Sequence, residues 1–484
     1  MQIVFAASEA VPFAKSGGLA DVLGALPREI AKLGHEVTVY LPLYAAVRPH
    51  LDGDLKYAIR SITIPFPQGN RFAGIVEGGT REGVKFYFVD CPEFFDRQGL
   101  YGNNGDSYAD NAERFGLFCR AVLEATKLIG IPDVFHLHDW QAALLPVLLR
   151  TVYSADPVLK KCSAVLTIHN AGYQGWFPPS TIQQLLLPWN LFTYDKLEHY
   201  NTFDFLKGGV VYADALTTVS RKYAEEILGP EAGNGLEGAL RQRRADLHGI
   251  LNGVDYAEWD PATDGNLAAH YTAKDLGGKR ECRRDLLHAF GLEAPPETPV
   301  IGICSRFASQ KGFDLLEQIS GRVAERDVAV LALGTGEPYY EKFFRDFAYA
   351  NAGRFAVQIG YDDAMAHKIE AGADIFLMPS HFEPCGLNQI YSLKYGTVPV
   401  VRATGGLDDT VEEWNPAEGT GTGFKFGPYE AQALLDAIDR ALTTFFEKTQ
   451  WSQLMQNGMA KDFSWDKPAR EYAALYEEVA RRRA

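Results

Sequence analysis

The sequence predicts an α/β protein built from two doubly wound parallel sheets in tandem. Three observations carry that expectation. Short β-branched runs alternate with longer helical stretches along almost the whole chain, the pattern of βα units. A length of 484 residues exceeds what one domain of ~100–200 residues holds. The alternation also starts afresh at Pro299, as a second sheet would. No short-period repeat is present, which excludes solenoids.

The elements follow in order. Residues 2–7 read as a first strand and 19–33 as an amphipathic helix, which Gly34 closes because glycine tolerates the left-handed stop. Strands are expected at 36–41, 84–89, 134–138, 164–168 and 215–219. The second series places strands at 300–304, 328–333, 355–359, 375–379 and 398–401, with helices at 312–321 and 362–371. The boundary falls where the charged run 241–246 gives way to LHGILNGVD, dividing the chain into 1–247 and 248–464. In the last stretch, 468–483, Tyr472, Leu475 and Val479 make one apolar stripe. That helix either packs on the nearest sheet or crosses back, so that 465–484 joins the first domain.

Composition narrows the function. With 47 Lys and Arg against 62 Asp and Glu, the net charge is −15, a surface that repels a phosphate backbone and argues against nucleic-acid binding. A small anion must then be met by cations and helix N-termini gathered locally. Six cysteines with no CxxC pair read as reduced thiols. The N-terminus lacks a basic region before its apolar run, and no stretch approaches the ~18 apolar residues that span a bilayer. A soluble, cytoplasmic protein without membrane association is expected.

Ligands of doubly wound sheets bind beyond the C-terminal ends of strands, which singles out four loops. The loop 8–18 carries Lys15, Gly17 and Gly18 before a helix, where close backbone approach, free amides and a cation suit a phosphate; a merely flexible loop is the other reading. SRFASQKG places Arg306 and Lys311 at a helix N-terminus, where two cations oppose the dipole and an anion relieves them. PSHFEPCGLNQ offers Glu383 for sugar hydroxyls and the amides of Gly386, Leu387 and Asn388 for phosphate oxygens, with a helix starting near Gly386. HLHDW and TIHNAGYQG bring His136, His138, Asp139 and His169 to two strand ends. Metal-ligand spacing is absent there, so hydrogen-bonded histidines are favoured over a zinc site, and Asn170 and Gly172 beside His169 argue for a polar crevice.

Together KSGGL, HDW, IHNAGYQG, LNGVD, SRFASQKG, EPCGLNQIYSLKYGTVPVV and TGGLDDTV resemble the bacterial glycogen synthases and plant starch synthases, over essentially the whole chain and in the expected order. The resemblance implies a GT-B glycosyltransferase, two Rossmann-like domains facing a central cleft. It implies transfer of glucose from ADP-glucose to the 4-hydroxyl end of an α-1,4-glucan such as glycogen, with retention. By the same resemblance, Lys15 and the Gly17 and Gly18 amides face the donor diphosphate, with Arg306 and Lys311 holding it from the other domain. Asp21 lies near the ribose and Tyr361 stacks on adenine. Glu383 holds hydroxyls of the transferred glucose, His169 and Asp139 line the same pocket, and Asn170 and Asn252 serve sugar binding. Cys385 and Gly386 complete the loop under the sugar.

Departure of the diphosphate builds negative charge that cations and helix amides can stabilise, so no metal or other cofactor is expected. Many retaining relatives carry a second glutamate eight residues after the first; Tyr391 stands there, as the synthases resembled here also lack that acid. Another sugar-nucleotide transferase of the same fold and a catalytically silent glucan-binding protein are the rival readings. A dehydrogenase would need GxGxxG, which does not occur. Oligomeric state is not legible.

Overall fold

In a parallel sheet covered on both faces, every strand residue points into apolar packing, so its strands are continuous apolar runs. The structure is a computed structural model describing residues 1–51, 53–103 and 105–483. It applies that rule in two units: Met1–Gly253 together with the chain from Trp465 onward, and Val254–Ser464.

The first unit holds nine main strands: β1 (Gln2–Ala6), β2 (Glu36–Pro42), β3 (Tyr57–Ile64), β4 (Arg71–Arg81), β5 (Val84–Asp90), β6 (Val134–His138), β7 (Ser163–Ile168), β8 (Ala215–Thr218) and β9 (Leu247–Gly249). Their order is β9-β8-β7-β6-β1-β2-β5-β4-β3, parallel except where β3 and β4 add an antiparallel edge. Phe5 pairs with Val39 on one side and His136 on the other, so β1 is the centre from which the winding reverses. The crevice of such a sheet opens beyond Ala6 and His138. Because β9 pairs with β8, this unit runs past the expected 247 to Gly253. The helix Asp466–Arg481 packs on it, burying Tyr472, Leu475, Tyr476 and Val479. Ser163 Oγ donates to Val479 O at 3.0 Å, and Arg150 and Arg483 each reach Asp214 at 2.5 Å.

The second unit is a six-stranded, wholly parallel sheet of β10 (Val300–Cys304), β11 (Ala329–Gly334), β12 (Phe355–Ile359), β13 (Ile375–Met378), β14 (Val398–Arg402) and β15 (Phe424–Phe426). The order β12-β11-β10-β13-β14-β15 is the Rossmann winding, reversing between β10 and β13. Alternate residues serve opposite faces. Ile301, Ile303, Val330 and Val400 pack with Phe313, Leu316 and Leu434, whereas Val300, Leu331 and Phe376 pack with Leu286, Leu287 and Ile369. Each such side chain contributes about 1.5–3 kcal/mol on burial, and the polar residues in strand interiors, Gln358 and Lys425, fall on the edge strands β12 and β15.

Two helix starts differ from expectation, and both bear on the site. The helix after β10 begins at Phe313, preceded by a tight 3-10 turn, Ser309–Lys311, and Gly312 at φ 71°. A Cβ on Gly312 would stand 2.0 Å from Pro379 O, so only glycine lets the turn lie against the neighbouring strand end. The helix expected near Gly386 begins at Asn388. No helix of the described residues is long and apolar enough to cross a membrane.

Candidate functional site

At the first unit's switch point, Glu9 organises the loop that carries Lys15. Its buried carboxylate accepts hydrogen bonds from the Ser16 amide, from Ser16 Oγ at 2.7 Å, from the Gly17 amide at 3.2 Å and from the Tyr101 hydroxyl. Tyr101 also shares a 2.7 Å hydrogen bond with Ser8 Oγ, and burial together with the Glu9 charge drives its phenol well above the usual range. The loop's backbone is therefore pulled down onto an acid, leaving Lys15 exposed above it. Lys15 Nζ meets Asp21 Oδ1 at 2.7 Å, across the first turn of the helix Gly18–Lys32. The Gly17 amide is thus engaged by Glu9 rather than presented outward, while Gly18 heads the helix with no side-chain cap.

Beyond β6 the chain bends sharply: Asp139 has φ 54°, a left-handed conformation costing ~1–3 kcal/mol for a residue other than glycine. The His169 amide, donating to Asp139 Oδ1 at 2.7 Å, helps hold that geometry. Burial raises the Asp139 carboxyl to about 7 despite amide hydrogen bonds from His169 and Asn170. His169 Nε2 and His138 Nδ1 lie 3.0 Å apart and share one hydrogen bond, so the tautomer of one ring sets that of the other. Burial lowers His169 to about 3 and depresses His136 and His138 well below 6.5, making three neutral imidazoles at ordinary pH. His136 spends both nitrogens, on Thr167 Oγ1 and on the Tyr476 hydroxyl, each at 2.6 Å. That excludes it as a metal ligand. Asn170 Oδ1 accepts from the Gly172 amide at 2.9 Å, and Asn252 is buried with its Oδ1 unpartnered among the described residues.

The second unit's switch point joins the loops after β10 and β13. Lys311 Nζ sits 2.5 Å from Glu383 Oε2, with Ser380 Oγ donating to the same oxygen at 3.1 Å. Both partners are largely enclosed, their side chains 16% and 9% exposed, so water competes weakly for the pair. Arg306, by contrast, is exposed and has no hydrogen bond or ion pair among the described residues. Lys311 lies in the 3-10 turn rather than at a helix N-terminus, which corrects the dipole argument for that cation. Cys385 is buried under the loop, Gly386 turns at φ 71°, and Gln389 Nε2 fastens the turn by donating to Cys385 O and Gly386 O. Gly386 and Leu387 precede the helix, and Asn388 Nδ2 donates to Cys304 O at 3.1 Å, tying the loop back to β10. Tyr361, just past β12, is 78% exposed. Tyr391 stacks on Trp259 at 3.9 Å and takes part in packing.

Within the second unit the fold thus brings Lys311, Glu383 and Cys385 together, with Arg306 at the adjoining end of β10 and Tyr361 at the end of the edge strand β12, two strands from β10. Within the first it gathers His169, Asp139 and Asn170 near the Lys15 loop, and Asp21 pairs with Lys15. Sequence reasoning missed Glu9, Tyr101 and Ser380. For Glu9 a signal existed, an acid set in the otherwise apolar run from β1.

Two doubly wound sheets, each with polar and charged side chains gathered at the point where its winding reverses, together with the family matches, place the chain among the glycosyltransferases of GT-B type. The chain matches the family described as starch synthase catalytic domain over residues 2–242 and glycosyl transferases group 1 over 287–453. It belongs to the glycogen and starch synthase family. It is 56% identical to a glycogen synthase of Koribacter versatilis, covering 100% of this chain and 99% of that one. It is 48% identical to a glycogen synthase of Anaeromyxobacter dehalogenans, covering 99% of each. The catalytic domain of starch synthase IV from Arabidopsis thaliana, solved with ADP and acarbose, superposes with a TM-score of 0.90 at 32% identity, covering 99% of both chains. A sucrose-phosphate synthase from Thermosynechococcus elongatus, at 16% identity and a TM-score of 0.60, shares the fold.

Proposed function

We infer that this chain is a glycogen synthase, transferring glucose from ADP-glucose to the non-reducing 4-hydroxyl end of an α-1,4-glucan with retention. The observation that carries this reading is kinship over the entire chain with proteins named glycogen synthase. The second unit serves the donor: Tyr361 stacks on adenine, Arg306 and Lys311 take the diphosphate with the Gly386 and Leu387 amides, and Glu383 orders glucose hydroxyls. The first unit serves the acceptor glucan, with Lys15 and the Gly18 amide reaching the diphosphate and Asp21 the ribose. His169, Asp139, Asn170 and Asn252 bind sugar.

The Lys311–Glu383 pair supports these roles. An enclosed lysine held in place by Glu383 is already ordered before the donor arrives, so it can meet the leaving group's charge without first being immobilised. As the C1–O bond to the diphosphate breaks, charge grows on the leaving phosphate, and the cations and amides stabilise it more than they stabilise the bound donor. Retention then follows from attack on the face the diphosphate leaves: the acceptor oxygen bonds to C1 while its proton passes to a phosphate oxygen of departing ADP. A neutral His169 suits hydrogen bonding to a sugar hydroxyl without adding charge.

The test is glucose transfer from ADP-glucose and, in parallel, UDP-glucose to a glycogen primer in excess EDTA, following nucleoside diphosphate release and amylase-sensitive chain growth. Growth from ADP-glucose is expected. Transfer from neither donor overturns the reading, and preference for UDP-glucose overturns the donor assignment.

A further inference from the structure

Away from both switch points, the segment after Val254 meets the helix Asp363–Gly372 within the second unit. His367 lies one turn beyond Asp363 on that helix, so the two side chains share a face. Glu258 stands beside them. One carboxylate oxygen from each acid and one ring nitrogen of His367 all lie within 4.8 Å of one another.

The histidine is held as a ligand is held. It is 1% exposed, its ring lies flat against Trp259 at 3.7 Å and 10°, and its Nδ1 sits 2.7 Å from Asp264 Oδ2. Asp264 is itself buried and fixed by the Tyr395 hydroxyl at 2.6 Å. A carboxylate on Nδ1–H sets the tautomer that leaves the Nε2 lone pair outward, the arrangement that orients metal-binding histidines. Nε2 is buried without a hydrogen-bond partner among the described residues, and Asp363 Oδ2 stands 4.0 Å away, too far for a hydrogen bond. An orphaned buried polar atom costs about 1–3 kcal/mol. Two exposed carboxylates standing over an enclosed imidazole nitrogen supply what a cation needs to satisfy it.

We propose that Glu258, Asp363 and His367 bind a divalent transition-metal cation of the zinc or manganese kind, with Asp264 orienting the histidine and water completing the coordination. One imidazole with two carboxylates suits these ions better than magnesium or calcium, which prefer oxygen throughout. With metal–ligand bonds of ~2.1 Å a tetrahedral site spans roughly 3.4 Å between ligands, so modest rotation of the two exposed carboxylates closes the 4.0 Å gap. The ion ties the segment around Glu258 to the start of the helix. Asp363 Oδ1 also accepts from the Tyr361 hydroxyl at 3.2 Å, so the tie steadies the turn that carries Tyr361.

The test uses tag-free full-length protein stripped with EDTA and returned to metal-free buffer. Equilibrium dialysis against Zn²⁺ and, separately, Mn²⁺ in excess Mg²⁺ counts bound ions, and thermal unfolding is followed with and without each metal. One ion per chain is expected, with a higher unfolding midpoint. Glu258→Gln and Asp363→Asn, which change exposed side chains, are each expected to weaken binding at least ~10-fold and to abolish the midpoint shift. No saturable binding of either ion, or binding undiminished in both variants as the cysteines elsewhere would produce, overturns the proposal.

Discussion

Glu9 offers a sharp test of how the Lys15 loop is held. Its carboxylate accepts from two loop amides, Ser16 and Gly17, and from two hydroxyls, those of Ser16 and Tyr101. Glu9→Ala removes all four acceptor contacts. The amides lie on an exposed loop where water replaces the acid, about 0.5–1.5 kcal/mol each, and the hydroxyls lose a charged acceptor at a similar net value because Tyr101 keeps Ser8. The sum is about 2–6 kcal/mol of local ordering. Glu9→Gln should lose about half of that. Its carbonyl can still accept from the amides while its NH₂ donates to the hydroxyls, so only the charge reinforcement disappears. Amide hydrogen exchange over residues 8–20 reads this directly: with 1.4 kcal/mol per decade, the alanine variant should exchange at least ~25-fold and up to ~20,000-fold faster. The donor KM should rise in the same order, Ala above Gln. Less than threefold acceleration in both variants, or a glutamine variant worse than alanine, would refute the account.

Three further outcomes follow from the same structure. Glu383→Gln and Lys311→Ala should each lower turnover by at least ~100-fold, as loss of a transition-state charge contact does. Lys311→Ala should also destabilise by about 2–4 kcal/mol in urea unfolding, because Glu383 is left enclosed with Ser380 as its one side-chain partner among the described residues. The Asp139 carboxyl, raised from 3.8 to about 7, binds a proton in the folded chain that the unfolded chain has released, so its stabilising contribution is full below 3.8 and is lost as pH rises through about 7. The stability of Asp139→Asn relative to the parent should therefore rise across that window, and a flat difference refutes the shift. Gly312→Ala places a Cβ 2.0 Å from Pro379 O at φ 71° and should cost at least ~1–3 kcal/mol while weakening donor binding.

Much of the site was legible, for a local reason. KSGGL, SRFASQKG and EPCGLNQ are continuous in the chain and follow apolar strands, so their positions at strand ends could be read from periodicity. What they touch could not. Glu383 reaches Lys311 across 72 residues and Tyr476 reaches His136 across 340, distances over which no local pattern speaks. The antiparallel strands β3 and β4 escaped notice because one face of each meets solvent and breaks the apolar run. The 3-10 turn holding Lys311 escaped it because what demands Gly312 there is the backbone of Pro379, a neighbour in space only.

The sequence by itself determined the two parallel sheets, the strand ends that carry chemistry and the kind of groups found there, since hydrophobic period and residue type are properties of short segments. Tertiary structure alone decided which of those groups are paired and in what state of charge. Glu9 became an anchor, Asp139 a carboxyl poised near neutrality and His367 a nitrogen without a partner through the burial and neighbours that folding supplied. Desolvation and hydrogen-bond partnership depend on distances across the folded chain, and those exist only once distant segments have met.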